Sequence, residues 1–168
     1  MRTKAVRPIS RDSDFYVRYR GTDPGLYSLI VCPGCGYTAY RDDFEDLLEE
    51  EQQALSASRE GRMARLSHSL CALRPPDDGV VATELALGCY AERRPNERRR
   101  AVLLHRRAWA ERERGNAALE LEYLGAARGA CRRQVLHFHA AGVGAWLNEQ
   151  GTACERSLAK RALGHADL

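Results

Sequence analysis

Residues 26–40, LYSLIVCPGCGYTAY, place two short apolar segments on either side of a turn that carries two cysteines. The first segment, Leu26–Val31, contains aromatic and β-branched residues and predicts a strand. Thr38–Tyr40 predicts a second strand that returns beside it, which makes a β-hairpin around the cysteines. Helical periodicity takes over after residue 42, so the sequence predicts a mainly α fold with a small N-terminal β-hairpin module.

The turn Cys32-Pro33-Gly34-Cys35-Gly36, here named the cysteine turn, has the spacing of a metal-binding half-site. Two residues between the thiolates let both sulfurs lie about 2.3 Å from one zinc ion. Gly36 can adopt the positive φ that turns backbone amides toward the sulfurs. This pattern is typical of zinc-ribbon and rubredoxin-like sites, so Cys32 and Cys35 are predicted ligands of zinc, with iron as the alternative metal.

Two other interpretations of the cysteine turn stay open. A thioredoxin-like redox pair has the same spacing, but it opens a helix that lowers the thiol pKa. Gly36-Tyr37-Thr38 is a poor start for a helix, which argues against such a pair. The other interpretation is that Cys32 and Cys35 are two thiols in a turn that bind no metal. The remaining cysteines fall outside this turn and are expected to pack as small apolar residues: Cys71, Cys89, Cys131 and Cys154.

A structural zinc site needs four ligands, and the cysteine turn supplies two. The best completion within the chain is His68 with Cys71, which lie three residues apart on one face of a predicted helix. A competing interpretation places His68 at the surface and packs Cys71 beside Leu70. The missing ligands could also come from the cysteine turn of a second chain or from outside this sequence.

Apolar residues at helical spacing predict a series of helices after the hairpin. The first begins at Asp42 or Asp43, and the second ends at Pro75-Pro76. Four more follow, separated at Pro95-Asn96, at Gly115-Asn116 and at Gly142 and Gly144, and the last begins at the capping box Thr152-Ala153-Cys154-Glu155. The apolar positions of all six helices are, helix by helix, Phe44, Leu47, Leu48 and Ala54; Met63, Leu66, Leu70 and Leu73; Val81, Leu85, Gly88 and Cys89; Ala101, Leu104 and Ala108; Leu119, Leu121, Tyr123, Leu124, Ala127 and Cys131; and Leu158 and Leu163.

Two Leu-Gly pairs, Leu87-Gly88 and Leu124-Gly125, lie 37 residues apart. Tetratricopeptide repeats have a period of about 34 residues and use a similar pair, because glycine lets two helices approach closely. A plain antiparallel helical-hairpin array is the equal alternative. The predicted organisation is a zinc-ribbon-like module over residues 1–44, connecting helices over 45–76, and a tetratricopeptide-like helical domain over 77–168.

The charge pattern argues against nucleic acid as a partner. Of the 26 basic residues all but Lys4 and Lys160 are arginine, which reflects codon choice in a GC-rich genome as readily as phosphate binding. Glutamates, including Glu111, alternate with the arginines of residues 97–114, so this helix face and His105 are expected to be solvated. His137 and His139 are expected at an amphipathic helix end.

No segment reaches the roughly 18–20 apolar residues of a membrane span, and the N-terminus has no apolar leader. The sequence therefore predicts no membrane association and a cytoplasmic location. In that reducing compartment, close cysteines bind metal or do redox chemistry more often than they form structural disulfides.

Several short strings together resemble a known bacterial family, the domain-of-unknown-function family 2225. They are Arg11-Asp12-Ser13-Asp14-Phe15, Tyr19, Asp23-Pro24, Tyr27, Val31–Tyr37 and Asp43-Phe44, with Arg107-Ala108-Trp109 and Gly115-Asn116 further on. The resemblance implies a cysteine knuckle followed by tetratricopeptide-like helices, and it implies zinc but no reaction. Members usually carry an earlier Cys-Pro-x-Cys-Gly turn, which these 168 residues lack. The expectation is either a start codon assigned too late or the loss of half the site.

These observations predict a zinc-binding protein that acts as a protein–protein interaction module. The groove between its helices would receive a segment of a partner protein. The alternative is a thiol-redox or metal-dependent enzyme that uses the pair Cys32 and Cys35. No catalytic residue is assigned.

Overall fold

The computed structural model describes residues 6–21, 23–70 and 74–141, with side chains up to residue 134. Within these ranges the fold is mainly α, as predicted, with two small antiparallel hairpins near the N-terminus, of which the sequence predicted the one around the cysteine turn. The strands are β1 (Arg7–Arg11), β2 (Val17–Arg20), β3 (Leu29–Val31) and β4 (Thr38–Tyr40). The helices are α1 (Glu49–Ala57), α2 (Arg59–Met63), α3 (Pro76–Ala91), α4 (Glu97–Glu113) and α5 (Ala117–Ala141). Among these helices, none has the length and hydropathy of a transmembrane span.

The described residues group into two compact units. The cysteine-turn unit contains residues 6–7 and 19–95, and the helical unit contains residues 8–18 and 96–141. The helical unit is therefore discontinuous in sequence, because a short N-terminal segment belongs with helices that begin about 80 residues later.

The hairpin around the cysteine turn is confirmed, with a later start than predicted. The antiparallel register pairs Leu29 with Tyr40, Ile30 with Ala39 and Val31 with Thr38. Instead of extending the strand back to Leu26, Pro24–Tyr27 form one 3-10 turn. The reason lies in Asp23, whose carboxylate accepts a hydrogen bond from the Gly25 amide at 2.7 Å, while Pro24 fixes a helical φ.

Helix α3 packs on the β3–β4 hairpin and on the 3-10 turn before it. Its buried apolar residues are Val80, Ala82, Leu85, Ala86 and Cys89. Gly79 allows this close approach, since a Cβ there would lie 2.3 Å from Cδ2 of Leu26. The helix is confirmed, but the predicted face was partly wrong: Val81 is half-buried and Gly88 is exposed.

The two helices predicted between the hairpin and Pro75 are shorter in the structure. Helix α1 begins at Glu49, not at Asp42 or Asp43, and it buries Leu55 while Leu48 and Ala54 are exposed. Long-range contacts explain why α1 starts later in the sequence than predicted. Arg93 donates to the carbonyls of Asp43 and Asp46, which holds this segment outside the helix.

Helix α2 ends at Met63, so the prediction that Leu66 and His68 lie on a helix was wrong. The amides of Arg65 and Leu66 bond three residues back, which tightens the chain into turns. The polar run Ser67–Ser69 favours local hydrogen bonds over helix, as the contact between Ser67 and His68 illustrates. Cys71, Leu73 and Cys154 lie outside the described residues.

The helical unit is an antiparallel pair, α4 and α5, joined by a tight turn at Gly115, whose φ is +76°. Asn96 caps α4 by accepting a hydrogen bond from the Arg99 amide at 3.0 Å. Both boundaries were predicted from the sequence. The buried apolar side chains of the pair are Ala101, Leu103, Leu104, Ala108, Leu124, Ala127, Ala130 and Cys131.

Several expectations for this pair were wrong. His105 and Glu111 are buried rather than solvated, because both bind partners within the unit, and Leu119 is exposed. Among the described residues, the Leu-Gly pairs do not mark a close approach of helices either. A Cβ added at Gly88 on α3 or at Gly125 on α5 would meet no described atom within 4 Å.

Candidate metal centre

The cysteine turn is closed by its own backbone. The Cys32 amide donates to the Tyr37 carbonyl at 2.8 Å, and the Gly36 amide donates to the Cys32 carbonyl at 2.9 Å. Gly36 adopts φ +68°, the positive value predicted from the sequence. A Cβ there would lie 3.0 Å from Cβ of Arg62, so the position requires glycine for space as well as for φ.

The turn brings the thiols of Cys32 and Cys35 together, and both are free and half-buried. Burial opposes ionisation of Cys32, but hydrogen bonds outweigh it and the pKa of this thiol is lowered. These bonds come from the Gly34 amide, the Cys35 thiol and the Cys35 amide, and the charge of Arg59 adds to their effect. Amides directed at a sulfur stabilise a thiolate, which is the form that binds metal.

Two arginines hold the outer carbonyls of the turn. Arg59 donates from Nε and Nη2 to the Gly34 carbonyl at 3.2 and 2.9 Å, and it is exposed. Arg62 is buried and donates from Nε to the Cys35 carbonyl at 3.3 Å. No sequence signal marked these residues, because the contacts span 25 and 27 positions.

Tyr37 anchors the turn to the rest of its unit. Its ring lies 5.0 Å from that of Phe44, and its hydroxyl accepts a hydrogen bond from Arg93 at 3.0 Å. Burial raises the pKa of Tyr37 to about 12, although the charge of Arg93 opposes the increase. The side chain is therefore a neutral, fixed support and not a proton donor near neutral pH.

A third thiol, Cys89, lies beneath the hairpin, a position that no local sequence pattern predicted. It is completely buried, and its sulfur accepts a hydrogen bond from the Thr38 amide at 3.4 Å. Burial raises its pKa, and the charge of Cys35 raises it further. Even so, no group of three or more His, Cys, Asp or Glu side chains in the described ranges is arranged to hold a metal ion.

The structure does not bring His68 to the cysteine pair. Its Nε2 lies 2.9 Å from a carboxylate oxygen of Asp78, and its Nδ1 lies 3.0 Å from the Ser67 hydroxyl. Its side chain is 57% exposed. Because Cys71 lies outside the described residues, metal binding by His68 and Cys71 stays a prediction.

The helical unit holds a second charged cluster, built on the string Asp12-Ser13-Asp14. Arg112 binds Asp14 at 2.6 Å, Glu120 at 2.8 Å and Asp12 at 3.2 Å, and Asp14 and Glu120 are fully buried. Burial alone would lower the pKa of Arg112, but Asp14 and Glu120 outweigh it and raise the pKa. Trp109 donates to Asp14 from Nε1 at 3.2 Å. This cluster attaches the N-terminal segment to α4.

His105 lies beside that cluster, with its ring 4.5 Å from the Trp109 ring. Burial lowers its pKa to about 4. The negative charge of Asp14 opposes this decrease, and the positive charge of Arg112 adds to it. His105 is therefore neutral at physiological pH. A neutral, buried imidazole packed on an indole has a structural role here.

A family model matches the chain over most of its length. The model of a family described as "Uncharacterized protein conserved in bacteria (DUF2225)" matches residues 1–136. The matched range includes both the cysteine turn and the Asp12-Ser13-Asp14 string. No curated protein and no solved structure matches the chain.

Proposed function

The chain belongs to the bacterial family DUF2225, and from this premise we propose that it is a metal-binding protein whose cysteine turn holds zinc. One observation carries the proposal: two free, partly exposed thiols share one tight turn, which is closed by its own backbone hydrogen bonds and by the positive φ of Gly36. When bound, zinc supplies a structural cross-link and no reaction.

The chemistry of the donor set fits half of such a site. Zinc binds thiolates, so binding requires Cys32 and Cys35 to lose their protons. The amides of Gly34 and Cys35 and the charge of Arg59 favour the ionised form of Cys32. Iron is the alternative metal, since rubredoxin-like sites use the same turn. A cytoplasmic location is part of the proposal, because a reducing compartment keeps the thiols available.

Metal analysis of the purified full-length protein tests this proposal. We expect bound zinc in the wild type and its loss in Cys32→Ser and in Cys35→Ser. Cys131→Ser is the matched control, since Cys131 is a buried cysteine of the helical unit and should leave the zinc content unchanged. Zinc content that is equal in all four proteins, or absent from the wild type under reducing conditions, contradicts the proposal.

We also propose that the protein works through contact with another protein. The antiparallel α4–α5 pair is the unit from which tetratricopeptide-like arrays are built. In the same unit Phe15 is 45% exposed and has φ +68°, a backbone conformation rare for a non-glycine residue. Such outliers are commonly kept for a function.

A photo-crosslinking amino acid at position 15 tests the interaction in living cells. We expect one discrete adduct, which is absent when the same group replaces the exposed Arg100 on α4. Identical adducts from both positions would mean nonspecific collision and would contradict the proposal.

A second candidate is a thiol-redox function, which the lowered pKa of Cys32 and its hydrogen bond with Cys35 favour. The Cys32 thiolate would attack a disulfide, and Cys35 would then displace the bound thiol. The pair would be oxidised while the substrate is reduced to two thiols. Against this, the turn continues into strand β4 and not into a helix. Reduction of one equivalent of a disulfide substrate by the reduced, metal-free protein, lost in Cys32→Ser, would favour the redox candidate over zinc.

A further inference from the structure

We propose that the cysteine turn completes its metal site with the cysteine turn of a second copy, so that one zinc ion joins two chains. This inference rests on the proposed zinc function and adds the source of the missing ligands. Cys32 and Cys35 of each copy supply the four thiolates of a closed tetrahedral site.

Within the described residues, the cysteine turn supplies two of the four ligands that a structural zinc site has. In these ranges no third histidine, cysteine or carboxylate joins the pair. Cys89 is fully buried with its sulfur bonded to the Thr38 amide, and His68 is bonded to Asp78. These two side chains therefore have other structural roles.

The sulfurs of the cysteine turn are accessible to a ligand from outside the chain. Pro33 and Gly34 at the tip of the turn are exposed, and both cysteines are partly exposed. A Cβ at Gly34 would lie in van der Waals contact, 3.9 Å from Sγ of Cys32, so the glycine leaves that side of the sulfur uncovered. The carbonyls of Cys32, Gly34 and Cys35 already accept hydrogen bonds within the chain, which favours the thiols as the groups that bind a metal.

The charge of the cysteine turn suits a shared site. Four thiolates and one Zn²⁺ carry a net charge of −2, which a low-dielectric contact between two proteins would have to offset. Arg59 lies beside each turn, bonded to the Gly34 carbonyl and exposed to solvent. Arg62 also contacts the turn, but its charge is already paired with Glu92 at 3.5 Å. Two copies contribute two Arg59 side chains, whose charges offset the −2 of the metal site. A positive charge already fixed at the rim of the turn thus matches the charge of the completed site.

The test measures mass and zinc content together on the full chain in a non-thiol reductant, with zinc as the only added probe. We expect one zinc per two chains by native mass spectrometry. By sedimentation equilibrium the 18.8 kDa chain should become a particle of twice that mass. A chelator should restore the monomer, and Cys32→Ser or Cys35→Ser should abolish both zinc binding and association.

Charge variants separate this site from an accidental zinc contact. Arg59→Glu makes the joined site strongly negative, and we expect at least a tenfold weaker zinc-dependent association. Arg100→Glu changes the chain charge equally on α4, where Arg100 is exposed, and should leave association unchanged. Equal effects of the two variants overturn the inference.

Other outcomes are equally decisive. One zinc per monomer overturns the shared site but leaves the zinc function standing, and loss of that zinc in Cys71→Ser would assign the missing ligand to the same chain. A dimer that persists with chelator overturns zinc as the link. A protein that binds no zinc overturns both this inference and the proposed function.

Discussion

The carboxylate of Asp14 lies 2.6 Å from Nη2 of Arg112, although 98 residues separate the two in sequence. Asp14 is fully buried and also accepts the indole N–H of Trp109. This pair therefore attaches the N-terminal segment of the helical unit to α4.

Replacing Asp14 by Asn should destabilise the helical unit. The substitution removes a buried negative charge from Arg112, which keeps Asp12 and Glu120 as partners. We expect a loss of about 2 kcal/mol in the free energy of unfolding, below the range for a buried ion left with no partner. Urea denaturation followed by circular dichroism measures it.

Glu113→Gln is the matched control for this prediction. It breaks the ion pair between Arg18 and Glu113, which are each 42% exposed, and should cost less than about 1 kcal/mol. Equal losses of unfolding free energy in the two variants would show that the buried Asp14–Arg112 pair stabilises the protein no more than the exposed pair does.

Because His105 is neutral in the folded protein, the free energy of unfolding should decrease as the pH drops from 6.5 to about 4. Its pKa is lowered to about 4 in the folded protein from an ordinary value of 6.5, so the unfolded chain takes up a proton first as the pH drops. The stabilisation is complete above pH 6.5. We expect His105 to account for a loss of roughly 2.5 kcal/mol between pH 7.5 and 4.5.

Denaturation of the wild type and of His105→Gln over this pH range measures the effect. The variant should show a flatter dependence, whatever its stability at pH 7.5. The pKa values of Glu51 and Glu111 are also lowered, but the stability that these two carboxylates contribute is lost mainly below pH 4.5. They therefore have little effect on the comparison between pH 7.5 and 4.5. Parallel curves for the two proteins would refute the assignment.

Two glycines should respond to alanine in opposite directions. Gly36→Ala forces an L-residue to φ +68° and places its Cβ 3.0 Å from Cβ of Arg62, so we expect a loss of about 2 kcal/mol or more. Gly88→Ala fills open space on an exposed face of α3 and should stabilise by roughly 0.5–1 kcal/mol. Thermal unfolding of both variants checks the signs, and destabilisation by Gly88→Ala would mean that this face is covered.

Arg59→Gln should raise the pKa of the Cys32 thiol in the metal-free protein. Burial opposes ionisation of this thiol, and the charge of Arg59 is one of the influences that overcome it. The pH profile of Cys32 alkylation by iodoacetamide, with the modified residue identified by mass spectrometry, measures the shift. Arg65→Gln, a nearby exposed arginine, is the control and should not move the profile.

Local patterns in the sequence predicted the features that depend on neighbouring residues. The hairpin follows from two short apolar segments around a Cys-x-x-Cys turn, and Gly36 has the φ that this turn requires. Asn96 and Gly115 mark the ends of α4 by their own capping chemistry. The fold class could therefore be predicted from the sequence alone.

Features that depend on distant partners were not predictable. Helix α1 starts late because Arg93 binds carbonyls about 50 residues earlier. The arginines around His105 predict a solvated side chain, but its ring packs on Trp109, which donates to the distant Asp14. The sequence around Cys89 predicts an ordinary core cysteine, and its contact with Thr38 of the hairpin depends on the fold.

The discontinuity of the helical unit also sets an order of events during synthesis. The segment 8–18 is translated well before its partner, because Arg112 follows Asp14 by 98 residues. At roughly 5–20 residues per second, translation of that interval takes on the order of 5–20 s. During this time Asp14 is charged and hydrated, because its partner on α4 does not yet exist. The N-terminal segment is thus synthesised long before it can be attached to the helix that holds it.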